Sequence, residues 1–135
     1  MTRGNPPILL ALVLCDTTIR EEGTHKLTLI GIFNGLFAPS FPCVHPSLSV
    51  YVALTDGRGE VPCRLRMTYL ETGQEVFSLT GSVHFQDPTG VSELVFLLQQ
   101  LRLEQAGDYS VEFFAESEML GSRKLRVQPA ERKRN

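Results

Sequence analysis

Between Leu27 and Thr55 the chain reads LTLIGIF, then NGLFAPSFPCVHP, then SLSVYVALT. Two strand-like runs flank a connection that is unusually apolar. Leu36, Phe37, Phe41 and Val44 stand in it among Pro39, Pro42 and Pro46. Connections ordinarily cross the surface and carry polar residues, so this one is expected to fold back over a sheet or to meet a partner. The prolines should hold it in an extended, non-helical path and reduce the entropy lost on fixing it. Leaving a phenyl ring wet forgoes about 1.5–3 kcal/mol, so Phe37 and Phe41 are expected to be largely buried.

The neighbouring runs sharpen that expectation. Ile8–Cys15 (ILLALVLC) lacks polar alternation, as does a strand covered on both faces. In Lys26–Phe33, Leu27, Leu29 and Phe33 share one side while Ile30 and Ile32 share the other, so both faces are again apolar. A two-layer sandwich leaves the outer face of each sheet wet, and Leu36–Val44 is the nearest candidate to cover it. From Ser47 the pattern is cleaner: Leu48, Val50, Val52 and Leu54 alternate with Ser49, Tyr51, Ala53 and Thr55, the periodicity of a half-buried strand.

Downstream, Asp56-Gly57-Arg58-Gly59 reads as a hairpin turn, since its glycines tolerate positive φ. Cys63, Leu65, Met67 and Tyr69 then alternate with Arg64, Arg66 and Thr68. Thr72-Gly73 turns into Glu75–Phe85, where Gly81 marks a bulge. In Val91–Leu103, Leu94, Leu97, Leu98 and Leu101 lie at helical spacing, but VSELVFLL is rich in β-formers between turn signals, and strand is the favoured reading. Gly107-Asp108-Tyr109 enters a strand as the tyrosine corner of immunoglobulin-like sandwiches does, and Met119–Val127 closes the series. These strands and turns predict an all-β fold: a single-domain, immunoglobulin-like antiparallel β-sandwich of seven or eight strands over residues 8–127. Residues 1–7 and the basic tail 128–135, with Arg132, Lys133 and Arg134, are expected to be flexible.

Composition excludes several function classes. A net charge of −2 over 135 residues implies no general attraction to nucleic acid or anionic lipid. Ile8–Cys15 is far short of the about 20 residues that span a bilayer as a helix. CDTTIREE follows it instead of a small-residue cleavage site, so it does not read as an export signal. Three cysteines, with no close pair, give no disulfide framework and favour a reducing, cytoplasmic setting.

Cys15-Asp16, Leu29-Ile30-Gly31-Ile32-Phe33, Ala38-Pro39-Ser40-Phe41-Pro42, His45-Pro46 and Thr55-Asp56-Gly57 stand in an order that resembles a family of small bacterial proteins known only as a domain of unknown function. The resemblance covers roughly residues 8–127. It implies an immunoglobulin-like sandwich and carries no activity.

Candidate chemistry is sparse. Cys43 and His45, at i and i+2, would point the same way from an extended chain. That invites a nucleophile–base or metal reading. A metal needs more ligands, and His25, His84, Cys15 and Cys63 are scattered, so neither a metal nor a cofactor is expected. Asp16, Asp56 and Asp87 fit turns. Arg64 and Arg66, with Arg58, form at most a small basic stripe, read as a solvated face. The favoured expectation is a non-enzymatic protein-interaction or scaffold module that self-associates, as a homodimer, through Leu36, Phe37, Phe41 and Val44. The alternative is a small-ligand or carbohydrate-binding sandwich that uses Tyr51, Asp56, Arg58 and Phe41 at its loop tips.

Overall fold

The computed structural model describes residues 6–130; the residues 1–5 and the basic stretch 131–135, both expected to be flexible, lie outside the described residues. Strands account for the secondary structure: β1 (Ile8–Arg20), β2 (Leu27–Ile32), β3 (Gly35–Ala38), β4 (Cys43–Thr55), β5 (Gly59–Tyr69), β6 (Gln74–Phe85), β7 (Val91–Leu103), β8 (Gly107–Ala115) and β9 (Glu118–Pro129). One sheet has the order β2-β1-β4-β7 and the other β3-β9-β8-β5-β6. The ambiguous segment 91–103 is strand β7, paired along its length with β4.

Alternation builds the core. Leu48, Val50, Val52 and Leu54 of β4 are fully buried, as are Leu65 and Met67 of β5 and Val111 and Phe113 of β8. The rings of Phe96 and Phe113 meet between the sheets at 6.4 Å. Side chains pointing inward from two sheets fill such a layer without gaps, each fully buried one contributing about 1.5–3 kcal/mol. Arg123 ties the layers at one side, its Nε donating to the Leu12 carbonyl at 2.7 Å. Tyr109 is buried, and its hydroxyl donates to the Gln105 carbonyl at 2.7 Å.

Several expectations need correction. There are nine strands among the described residues, not seven or eight, because part of the apolar connection is itself a strand. β3 pairs with β9 in parallel, Leu36 opposite Val127, so the sandwich is not purely antiparallel. Pairing satisfies backbone groups that a loop would have to leave to water. It also turns Leu36 onto the core and Phe37 outward, where Phe37 is 69% exposed rather than buried. Asp56–Gly59 is no hairpin: β4 pairs with β1 and β7 while β5 pairs with β6 and β8, so this turn crosses between the sheets. Gly57 is required there by space, since a Cβ would come within 2.3 Å of the Phe85 ring. The irregularity in β6 falls at Val76, between the pairs Met67–Phe77 and Thr68–Glu75, not at Gly81. β1 and β9 also run further than expected, to Arg20 and Pro129.

Candidate functional site

The outer face of the β2-β1-β4-β7 sheet departs most from an ordinary sandwich surface. Antiparallel register places opposite residues on one face. Cys15 lies opposite both Ile32 and Ser49, and Ser49 opposite Leu97, giving a row Ile32–Cys15–Ser49–Leu97 across all four strands. The next row along the strands is Val13–Tyr51–Val95, and the one after is Ala11–Ala53–Glu93. Ile32 is 62% exposed, Leu97 57% and Ile30 42%. Cys15 and Ser49, on the same face, are fully buried. The first row therefore presents only its two ends, Ile32 and Leu97, to solvent, while in the second row Val13 and Tyr51 are half-buried and Val95 is exposed.

The face carries little charge. Among the described residues of these rows, Glu93 is the one ionisable carboxylate, and it accepts a hydrogen bond from the Tyr51 hydroxyl. Burial, followed by the bond to Glu93 and its charge, pushes the Tyr51 phenol up to about 12. Beyond the first row β4 and β7 both change phase. Gln100 has φ of +55°, and from there Leu101 and Leu103, with Cys43 opposite, turn toward the core while Val44 faces out, 50% exposed.

The expected cover is absent. Leu36 and Phe41 pack on the core, and β3 lies in the other sheet, so the segment 36–44 does not shield this face. β1 is consequently open on one side: Ile8, Leu10 and Ile19 are each about half exposed. Of the four residues expected to form an interaction surface, Phe37 and Val44 face outward while Leu36 and Phe41 face inward. Sequence reading found the two-sided apolarity of β1 and β2 but assigned it to the wrong cover. Register between distant strands made the rows, and no local signal carries that.

The opposite outer face is polar. Arg64 and Arg66 each lie 4.8 Å from the Phe114 ring centroid, and Arg66 donates to Glu112 at 2.8 Å. A shallow depression of about 300 Å³ there is lined by Pro62, Arg64, Thr80 and Phe114, among others.

The residues of the ligand-binding alternative are not brought together. Phe41 precedes the start of β4 and Asp56 follows its end, and a strand of 13 residues separates them by about 40 Å. Tyr51 lies mid-strand, committed to Glu93. Cys43 and His45 share a face, yet burial raises the Cys43 pKa, the reverse of an activated thiolate. The His45 ring tilts against Phe33 at 5.7 Å, and its Nε2 is buried without a hydrogen-bond partner. The described residues contain no group of three or more His, Cys, Asp or Glu placed to hold a metal. Among the described residues no helix is long and apolar enough to cross a membrane.

Residues 10–128 match a family of unknown function, DUF6941. The chain belongs to that family. The match spans β1 from its third residue to β9, so the rows of this outer face fall inside the DUF6941 region. No curated protein matches the chain. The structure of Pseudomonas fluorescens alkylpurine DNA glycosylase AlkC, bound to DNA containing an abasic site analog, is similar over 70% of this chain and 28% of that one. The identity is 14% and the TM-score 0.48, too distant to bear on fold or function.

Proposed function

We propose that this DUF6941 chain is a non-enzymatic interaction module, a scaffold that works by protein–protein contact through the outer face of its β2-β1-β4-β7 sheet. One observation carries the reading: Ile30, Ile32, Val91 and Leu97 stay between 42% and 62% exposed on one sheet face. Ile30 and Ile32 lie on edge strand β2 and Val91 and Leu97 on edge strand β7, with half-buried Val13 and Tyr51 between them, and a sheet face that leaves aliphatic side chains in water is a candidate contact surface. Support for a non-enzymatic role comes from the raised thiol pKa values of Cys15, Cys43 and Cys63, the reverse of activated thiolates. The buried Tyr109 and its bond to the Gln105 carbonyl support an immunoglobulin-like sandwich with a tyrosine corner. Three free thiols support a reducing, cytoplasmic setting.

The test is a stability measurement on Ile32→Ser and Leu97→Ser at low protein concentration. A docking face contributes little to the isolated fold, so each variant should unfold within about 0.5 kcal/mol of wild type. A loss above about 2 kcal/mol would show that the chain covers this face itself, and the reading would fail.

A further inference from the structure

We propose that β6 is an open sheet edge that pairs with the β6 of a second copy of this chain. Two five-stranded sheets then join edge to edge about a two-fold axis at Thr80. The contact lies apart from the outer face of the other sheet and does not depend on it.

An edge strand presents a row of unpaired N–H and C=O groups, and those groups define their occupant as another extended strand. The two sheets have four edges, β2, β7, β3 and β6, and three of them are guarded. β3 has four residues and runs into Pro39. β2 has six, and Gly31 near its end stands at φ +71°. β7 is long, but Gln100 at φ +55° breaks its course, and it carries Glu93 and Arg102. In β6 the run Phe77–Val83 (FSLTGSV) holds no charge, no proline and no positive φ. Among the described residues its ladder partner is β5, on one side only.

Gly81 points to the same occupant. Its φ is not positive, and within 4 Å a Cβ would meet only the Phe96 ring, at 3.9 Å, an ordinary contact. Neither backbone conformation nor crowding within the chain requires glycine there, and glycine inside a strand lowers stability relative to alanine. Such a glycine marks a place where another backbone comes close. Beside it Phe77 and Leu79 are only half-buried, on a slot of about 320 Å³ between β6 and β7 that Leu97, Leu98 and Leu101 help to line.

The sequence of β6 fits itself. Register with β5 puts Phe77, Leu79, Gly81 and Val83 on the core side, opposite the buried Met67, Leu65, Cys63 and Val61. Ser78, Thr80 and Ser82 are exposed on the outer side. A two-fold axis perpendicular to the sheet at Thr80 makes the two β6 strands antiparallel. Leu79 then lies opposite the partner's Gly81, over the gap left by its missing side chain, and Phe77 lies opposite the partner's Val83. On the outer side Ser78 faces the partner's Ser82 and the two Thr80 hydroxyls face each other, pairs that stabilise antiparallel strands. A slip of one residue would turn the partner's core residues to solvent. A slip of two would set Gly81 against Gly81 in one direction and Glu75 against Val83 in the other. Isologous pairing of this kind closes at two, and the guarded far edges keep it from growing.

Charge complementation at the axis tests occupant and register together. Thr80→Lys and Thr80→Glu are made separately; the position is exposed, so both should fold, and circular dichroism and thermal unfolding check this. Wild type should be dimeric by light scattering at about 100 µM, where even a micromolar dissociation constant leaves it mostly paired. Each variant alone sets two like charges directly opposite, about 5 Å apart, and should be monomeric, its association weakened by about 100-fold or more. Mixed in equal amounts, they should form a heterodimer, one lysine against one glutamate. A second measurement needs no charge: opposed antiparallel positions lie within disulfide reach. Thr80→Cys should therefore cross-link on mild oxidation, whereas Ser78→Cys, which faces the partner's Ser82, should not. Monomeric wild type would overturn the edge pairing, with the docking face still decided by the serine substitutions of Ile32 and Leu97. Single charge variants that stay dimeric, a mixture that stays monomeric, or cross-linking through Ser78→Cys rather than Thr80→Cys would overturn it as well.

Discussion

Burial governs the reactive side chains of this protein more than any neighbouring charge does. Cys15, Cys43 and Cys63 all have thiol pKa values raised first by burial, that of Cys63 to about 11. A thiol reagent at pH 8 should therefore modify all three more slowly than a peptide cysteine, with full reaction only in denaturant. Faster labelling of Cys43 would reveal an activated thiolate and reopen the Cys43–His45 reading. The tyrosines behave alike for different reasons. Burial leads for Tyr51, whereas the bond to the Glu71 carboxylate leads for Tyr69; both phenols are pushed up to about 12. A folded pKa above the unfolded value of about 10 favours the neutral phenol in the native chain. That stabilisation is complete below about pH 10 and is lost as pH rises through about 12. Absorbance at the phenolate band should stay flat near pH 10 and rise only as the chain unfolds; a full tyrosinate signal at pH 10.5 in folded protein would contradict this.

The segment 35–44 shows how an element divides residues that look equivalent in sequence. Phe37→Ala should leave stability within about 0.5 kcal/mol, since the ring is mostly in solvent. Phe41→Ala should cost about 1–2 kcal/mol, below the about 3–5 kcal/mol of a fully buried phenylalanine, because its ring is only partly covered. Chemical denaturation of the two variants side by side checks the split; equal losses would mean that β3 is misassigned. The strands themselves were legible where alternation is strict, as in Leu48–Leu54, or where β-formers fill a run between turns, as in β7. Alternation also sorted Leu27 and Leu29 correctly from Ile30 and Ile32. What the residues did not show is pairing. Gly35–Ala38 is too short to alternate visibly and becomes a strand only because β9 lies beside it. Asp56–Gly59 has hairpin chemistry, and only the partners of β4 and β5 reveal that the turn crosses between layers. The candidate site was half legible for the same reason. Apolar residues on both sides of β1 and β2 were plain, while the row across four strands depends on register between positions as distant as Ile32 and Leu97.

The whole molecule has two unlike outer surfaces: one carries Arg64, Arg66 and Glu112, the other the exposed Ile30, Ile32, Val91 and Leu97 beside Tyr51 and Glu93. Its sheets are also stitched from far-apart pieces: β1 joins β4, β5 joins β8, and β3 joins β9. Topologies built on such distant pairings fold slowly, in milliseconds to seconds. The pairing of Gly35 with Arg126 sets the longest wait. On a ribosome adding about 5–20 residues per second, β3 leaves the exit tunnel many seconds before β9 has been made. During that interval Leu36 and the open backbone of β3 have no native neighbour. Newly made chains therefore pass through a window in which they are open to chaperones or to each other, and translation speed, rather than the finished fold alone, sets how long that window lasts.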